Sequence, residues 1–258
     1  MALAFLTKEV NEALDGLLKS SPEPHAPLGE AARYALLGGG KRLRPLLLLA
    51  LAKDLDIPLE QALPVACSLE LIHTYSLIHD DLPCMDNASH RRGKPALHHA
   101  FGEALALLTG DFFLTLAFET TAKTPHLVPE KRVELILLLA ERSGGEGMIG
   151  GQTVDILSQG KSLDPPLKEW INRKKTGALF SASLECGSIL AELPEPARAL
   201  LRSAGLSFGV FFQLQDDLED QDGESSKKEL IQKRSDAFRA LSKLPFSTPF
   251  LQEAMHSV

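Results

Sequence analysis

A chain of 258 residues, 44% of them hydrophobic, can bury a substantial core, and no linker-like stretch divides it, so residues 1–258 are read as one domain. The net charge of -7 argues against a nucleic-acid partner, because binding along a phosphate backbone needs a basic surface. Cys67, Cys84 and Cys186 have neither paired nor metal-ligand spacing, which suits free thiols in a reducing compartment.

Residues 1–9 carry no basic leader and no cleavage pattern. Apolar runs such as residues 46–52 fall well short of the ~20 needed to cross a bilayer, so a cytoplasmic protein without stable membrane insertion is expected. Much Leu and Ala, with almost no alternating β-branched segments, predicts an all-α chain. Helices are predicted over 7–19, 28–37, 45–55, 64–82, 102–121, 129–142 and 197–220, with a Ser/Pro-rich loop at 20–27. The second helix stops at Gly38, Gly39 and Gly40, and Lys41 and Arg44 follow where the next begins. Glycine amides beside two bases at a helix start can cradle a diphosphate; the alternative is a turn with solvated bases. It is not a Walker loop, whose first glycine and terminal Ser/Thr are missing.

The helix over 64–82 leads into Ile78-His79-Asp80-Asp81-Leu82-Pro83-Cys84-Met85-Asp86, where three carboxylates gather, with Arg91, Arg92 and Lys94 just beyond. Carboxylates aimed at one site repel and stay ionised only with cations between them. Oxygen ligands without Cys or His at zinc spacing favour Mg²⁺ shared with substrate phosphates. A lone Asp pair would more simply be a solvated helix end, but a second cluster stands at Asp216-Asp217-Leu218-Glu219-Asp220. On an ideal wheel His73 falls about 20° from Asp80 and faces the same cavity. His98 and His99 diverge as neighbours and are expected at the surface.

Residues 145–150 match G-x-G-x-x-G by letter, yet no strand precedes them, so the glycines are expected to let helices approach closely. Gln152 and Asp155, three apart, can reach one point. A helix after residue 166 carries Trp170, Lys174, Lys175, Thr176 and Gly177, either a solvated basic face or an inward lysine and hydroxyl. Residues 205–209 imitate a nucleophile elbow, but that turn needs a strand and here the helix is continuous. Within it Gln213, Asp216, Asp217 and Asp220 share one face at i, i+3, i+4 and i+7.

Taken together, Gly38 to Pro45, Leu71 to Asp86, Arg91 to Pro95, Gly147 to Asp155, Lys175 to Gly177 and Phe212 to Asp217 resemble the trans-prenyl diphosphate synthases of the short bacterial and plastid type. The resemblance runs from about Leu28 to Asp220. It implies an all-α bundle of ten or more helices around a deep central cavity, usually in a homodimer. Asp80, Asp86 and Asp216 would hold about three Mg²⁺ ions on the allylic diphosphate, with Asp81 and Asp217 completing the catalytic acids. Arg91, Lys175, Thr176 and Gln213 would contact the allylic substrate. Gly40, Lys41, Arg44, His73 and Arg92 would bind the diphosphate of isopentenyl diphosphate. Lys175, Thr176 and Gln213 would also belong to the catalytic set, the Gln213 amide and the Lys175 or Thr176 region offering partial negative charge toward an allylic cation.

The implied activity is condensation of isopentenyl diphosphate with dimethylallyl or geranyl diphosphate to give farnesyl diphosphate. In such enzymes the fifth residue before the first Asp is the floor of the product cavity. Here it is Tyr75, although the ideal wheel puts it about 140° from Asp80. A geranylgeranyl diphosphate synthase and a non-catalytic partner subunit are the alternatives, and a terpene cyclase would not need Lys41, Arg44, His73 and Arg92. Two departures stand out: residues 87–90 lack the usual extra acids, and the tail after Asp220 lacks a Gly-Lys loop and a Lys-x-Thr-x-Pro segment. Lys227 or Lys228 would have to replace the missing lysine.

Overall fold

The computed structural model describes residues 2–18, 24–220 and 224–257; of the side chains within that span, those of residues 2, 217, 219, 220 and 224–226 are not described. In chain order the helices are α1 (Ala2–Leu17), α2 (Ala26–Leu36), α3 (Leu43–Asp54), α4 (Leu59–Asp80), α5 (Leu97–Phe101), α6 (Glu103–Ala122), α7 (Pro129–Ser143), α8 (Met148–Ser158), α9 (Pro165–Asn172), α10 (Ala178–Leu190), α11 (Glu195–Asp220), α12 (Glu224–Leu241) and α13 (Pro249–His256). A π-helical segment, Arg173–Gly177, joins α9 to α10. Two-residue strands β1 (His90–Arg91) and β2 (Lys94–Pro95) pair antiparallel, with Arg91 opposite Lys94. The fold is therefore all-α apart from this hairpin. Its two-residue loop, Arg92 and Gly93, has φ of +53° and +75°, the mirror-image turn that suits the twist of paired strands. Strands this short leave no alternation for a sequence pattern to detect.

The chain forms two compact units, Met1–Leu46 with Leu63–His126, and Leu47–Ala62 with Leu127–Val258. In the first unit α4 is buried on most sides, with Val65, Leu69, Leu71 and Ile72 fully enclosed. A helix apolar all round can only be a core helix. It starts at Leu59 rather than at Pro64, which sits inside it and forgoes one backbone hydrogen bond in the second turn. Helix α6 packs on α2 and α5, and buries Thr109, Phe113, Ala117 and Thr121. By length and composition alone α6 could cross a membrane, but that buried face lies inside the unit.

In the second unit α10 is buried along its whole length, between α7 and α11. A buried acid ties these three helices together. Glu185 on α10 accepts from Arg142 on α7 at 2.8 Å and 2.9 Å, from Arg202 on α11 at 2.7 Å, and from Ser181 at 2.9 Å. Burial alone would raise its carboxyl, but the two guanidinium groups outweigh this and hold it below its ordinary value. The tail expected to be compact begins at residues 221–223, outside the described residues; Lys227 and Lys228 are exposed on α12.

Candidate active site

Helix α4 delivers the chemistry of the first unit. Its final residue is Asp80, and the chain then folds back on itself so that the Asp86 amide donates to the Asp80 carbonyl at 2.8 Å. This brings the two acids to one end of the helix, Asp80 half-buried and Asp86 exposed. Asp81 turns inward instead. Its carboxylate, 4% exposed, accepts from Arg91 at 2.5 Å and 3.1 Å, so a guanidinium lies beside the acidic turn. Arg91 is held above its ordinary value by that hydrogen bond first, against its burial, with Asp80 and Asp86 adding to the effect. Cys84, between the acids, is an exposed thiol; Cys67 and Cys186 are buried and burial pushes both thiols up, Cys67 to about 12.

A basic cluster adjoins this turn. Gly39 and Gly40 have φ of +111° and +123°, and Arg42 follows at +52°, so the chain after α2 curls in a form that glycine makes possible. Lys41 is exposed there, and Arg44 is buried on the first turn of α3. Arg42, also buried, donates to Glu70 at 2.7 Å, to the Leu36 carbonyl at 2.5 Å and to Asn11 at 3.0 Å. Arg92 reaches the same Glu70 oxygen at 3.4 Å. His73 sits among these groups and is pushed well below its ordinary value, by burial first and then by Arg44, Arg92, Arg42 and Arg91. A neutral imidazole can still donate one hydrogen bond to an anion. A small open cavity lies beside the cluster, lined by residues that include Tyr34, Thr74, Asp81, Arg91, Arg92 and Lys94.

Tyr75, one turn before His79, is buried, and its hydroxyl has no hydrogen-bond partner among the described residues. Its phenol is raised to about 12 by burial and by Asp80, and its ring lies edge-on to that of His79. His98 departs from expectation: it is buried with both ring nitrogens unpartnered among the described residues, while His99 is exposed. The short helix α5 lies against α2 and α6, so successive residues meet packing and solvent in turn.

The second unit carries its polar set on the π-helical segment, which a sequence reading as continuous helix does not reveal. One extra residue per turn is costly, and such bulges occur mostly at functional sites. Here glycine contacts accommodate it. A Cβ on Gly151 of α8 would lie 2.2 Å from the Lys175 backbone nitrogen, and one on Gly209 of α11 would lie 2.7 Å from the Gly177 Cα. Gly209, within the second letter motif dismissed above, and Gly151, the residue after the first, are thus close-packing positions. On the segment, Lys175 reaches Asp155 of α8 at 2.6 Å, and the Thr176 hydroxyl donates to the Gln213 carbonyl oxygen of α11 at 2.8 Å. Gln152, three residues before Asp155, has both amide atoms buried without a partner among the described residues. Asp216 is exposed one turn beyond Gln213; the Asp217 and Asp220 side chains lie outside the described residues.

Unit 1 therefore gathers Gly40, Arg44, His73, Asp80, Asp81, Asp86, Arg91 and Arg92, and unit 2 gathers Lys175, Thr176 and Gln213 with Asp216 on the same helix as the last. Sequence reasoning passed over Glu70 and left Asp155 outside its site set. Glu70 sits three residues before His73 on α4, but its role lies in contacts to residues 28 and 22 positions away, which no local pattern records.

Residues 25–237 match the family model described as polyprenyl synthetase. The chain is 44% identical to the farnesyl diphosphate synthase of Geobacillus stearothermophilus over 207 residues, 80% of this chain and 70% of that one. It is 43% identical to the chloroplastic geranylgeranyl pyrophosphate synthase 12 of Arabidopsis thaliana over 216 residues, 81% of this chain and 60% of that one. Among solved structures, an FPP/GFPP synthase from Zymomonas mobilis superposes with a TM-score of 0.94 at 36% identity, covering 100% of this chain and 97% of that one. A family model that matches most of the chain, with a relative 44% identical over 80% of it, shows that the chain belongs to the polyprenyl synthetase family.

Proposed function

We propose that the chain is a trans-prenyltransferase that condenses isopentenyl diphosphate with dimethylallyl or geranyl diphosphate to give farnesyl diphosphate, in one catalytic domain. The observation that supports this most is α4 with the turn that follows it, where His73, set among arginines, lies two turns before Asp80 and the fold-back from the Asp80 carbonyl to the Asp86 amide brings a second acid to the same helix end. Such a helix serves two anions at once. Gly40, Lys41, Arg44, His73 and Arg92 take the diphosphate of isopentenyl diphosphate, and Arg91 and Lys175 take that of the allylic partner. The carbon–oxygen bond of the allylic substrate breaks, and its electron pair leaves with the diphosphate. Arg91, anchored by Asp81, and Lys175, anchored by Asp155, stabilise that charge where it develops. The double bond of isopentenyl diphosphate attacks the resulting cation, a carbon–carbon bond forms and one proton is released. Holding the two substrates in register replaces any protein nucleophile. Gln213, oriented by Thr176, and the backbone carbonyls of the π-helical segment face the cation with partial negative charge.

Among the described residues no three His, Cys, Asp or Glu side chains form a ready-made metal group. The accessible carboxylates of Asp80, Asp86 and Asp216 are hard oxygen donors of the kind Mg²⁺ takes, one or two at a time, with water and phosphate oxygens completing its shell. These three residues would hold up to three such ions, which would supply Lewis-acid stabilisation of the leaving diphosphate.

Incubating the purified protein with Mg²⁺, isopentenyl diphosphate and dimethylallyl or geranyl diphosphate, then measuring pyrophosphate release and product length, tests the assignment. A fifteen-carbon product is expected. The relative named as a geranylgeranyl synthase makes a twenty-carbon product the second reading, and the buried bulk of Tyr75 favours the shorter one. Binding of both substrates without turnover would instead favour a non-catalytic partner subunit. The exposed Leu107 and Leu108 of α6 support pairing with a second copy. The proposed setting is the cytoplasm.

A further inference from the structure

Glu70 is a carboxylate with no part in the proposed chemistry. It is 1% exposed, and its Oε1 lies 2.7 Å from Arg42 and 3.4 Å from Arg92. Arg42 has other fixed partners in Asn11 and the Leu36 carbonyl, and is sealed from solvent. Arg92 is different: it is partly exposed, borders the cavity and sits in a left-handed backbone at φ +53°. A β-carbon makes that conformation costly, so something must hold the residue in it. On its other side is Gly40, where a Cβ would come within 2.8 Å of both the Arg92 Cζ and one of its terminal nitrogens. The guanidinium plane is thus confined between a buried negative charge and a backbone stripped of its side chain.

We propose that Glu70 and Gly40 form a clamp that fixes the Arg92 guanidinium for the diphosphate of isopentenyl diphosphate, which makes Glu70 a positioning residue of that site. The inference rests on the assignment of Arg92 above and adds what holds it. One carboxylate shared by two guanidinium groups leaves this trio net positive. Glu70 can therefore fix the Arg92 geometry without cancelling the charge that meets an anion. Without Glu70, Arg92 could rotate out of the strained turn and away from the phosphate.

The test is steady-state kinetics on Arg92→Ala, Glu70→Gln and Gly40→Ala, varying isopentenyl diphosphate and geranyl diphosphate separately with Mg²⁺ present. Each variant is expected to raise KM for isopentenyl diphosphate by about tenfold or more, and to move KM for geranyl diphosphate by less than about twofold. A purely structural role for Glu70 would lower the folded, active fraction and leave both KM values where they were; that result, or an equal rise in both, overturns the clamp. Should Glu70→Gln fail to fold, Glu70→Asp decides, because it keeps the buried charge while drawing the carboxylate back from Arg92, and an unchanged KM for isopentenyl diphosphate then overturns the proposal. If Arg92→Ala itself leaves that KM unchanged, the assignment of Arg92 fails. If Arg92→Ala raises it and neither clamp variant does, only the clamp fails.

Discussion

Arg91 and Arg92 are neighbours in the chain with separate duties, because the hairpin turn sends one to Asp81 and the other to Glu70. The same separation holds for Asp80 and Asp81, which point to different surroundings and so differ in what they can ligate. Replacing Asp80 by Ala is expected to lower turnover by about a hundredfold or more while circular dichroism and melting stay near those of the parent chain; undiminished turnover would remove the residue from the metal set. Tyr75→Ala should open the floor and shift the product to more than fifteen carbons, read by chromatography of the dephosphorylated alcohols. His73 carries a pH signature. Above its ordinary value of about 6.5 the imidazole is neutral in both folded and unfolded chains and adds no pH dependence. Below it the unfolded chain binds a proton that the arginine-ringed site refuses, so folded stability falls as pH drops. Melting temperatures of the apo protein from pH 8 to pH 5 should decline less for His73→Gln than for the parent.

Elements show which parts of the site could be read from the sequence. The acids at the end of α4 were legible because a helix C-terminus, a proline-fixed turn and a run of carboxylates are all local. Register did the same for Gln213 and Asp216 on α11. The π-helical segment was not legible: its residues have ordinary helix propensity, and the bulge is stabilised by glycines on α8 and α11 that are distant in sequence. The hairpin was hidden for a similar reason, since Arg91-Arg92-Gly93-Lys94 looks like a basic run until the positive φ angles are seen. Adding a methyl at Gly151 should force α8 from the segment and cost about 1–3 kcal/mol by overpacking, with kcat falling more than the stability loss explains. Chemical denaturation beside kinetics on Gly151→Ala checks both. Glu185→Ala would strip the shared acceptor from Arg142 and Arg202, and is expected to cost about 3–5 kcal/mol in a denaturant midpoint series, without a specific effect on either substrate's KM.

On the scale of the whole molecule, each unit has its own core helix, α4 buried on most sides in one and α10 along its whole length in the other, and each of those helices leads into or out of a polar segment with residues of the proposed site. Stability and chemistry are thus carried by the same elements. Removing divalent ions with EDTA should abolish turnover but leave the melting temperature largely unaltered, because the acids proposed to hold the ions, Asp80, Asp86 and Asp216, are accessible to solvent rather than part of the packed cores; added Mg²⁺ should restore turnover. Light scattering on the purified chain is expected to give the mass of a pair. The cysteines offer a practical opening that follows from their burial. Two thiols are sealed and held protonated, and the third stands on the loop between Asp80 and Asp86. A maleimide dye or nitroxide should therefore attach at a single native position among the described residues without any engineering, and its signal would report directly on the loop proposed to receive the allylic substrate.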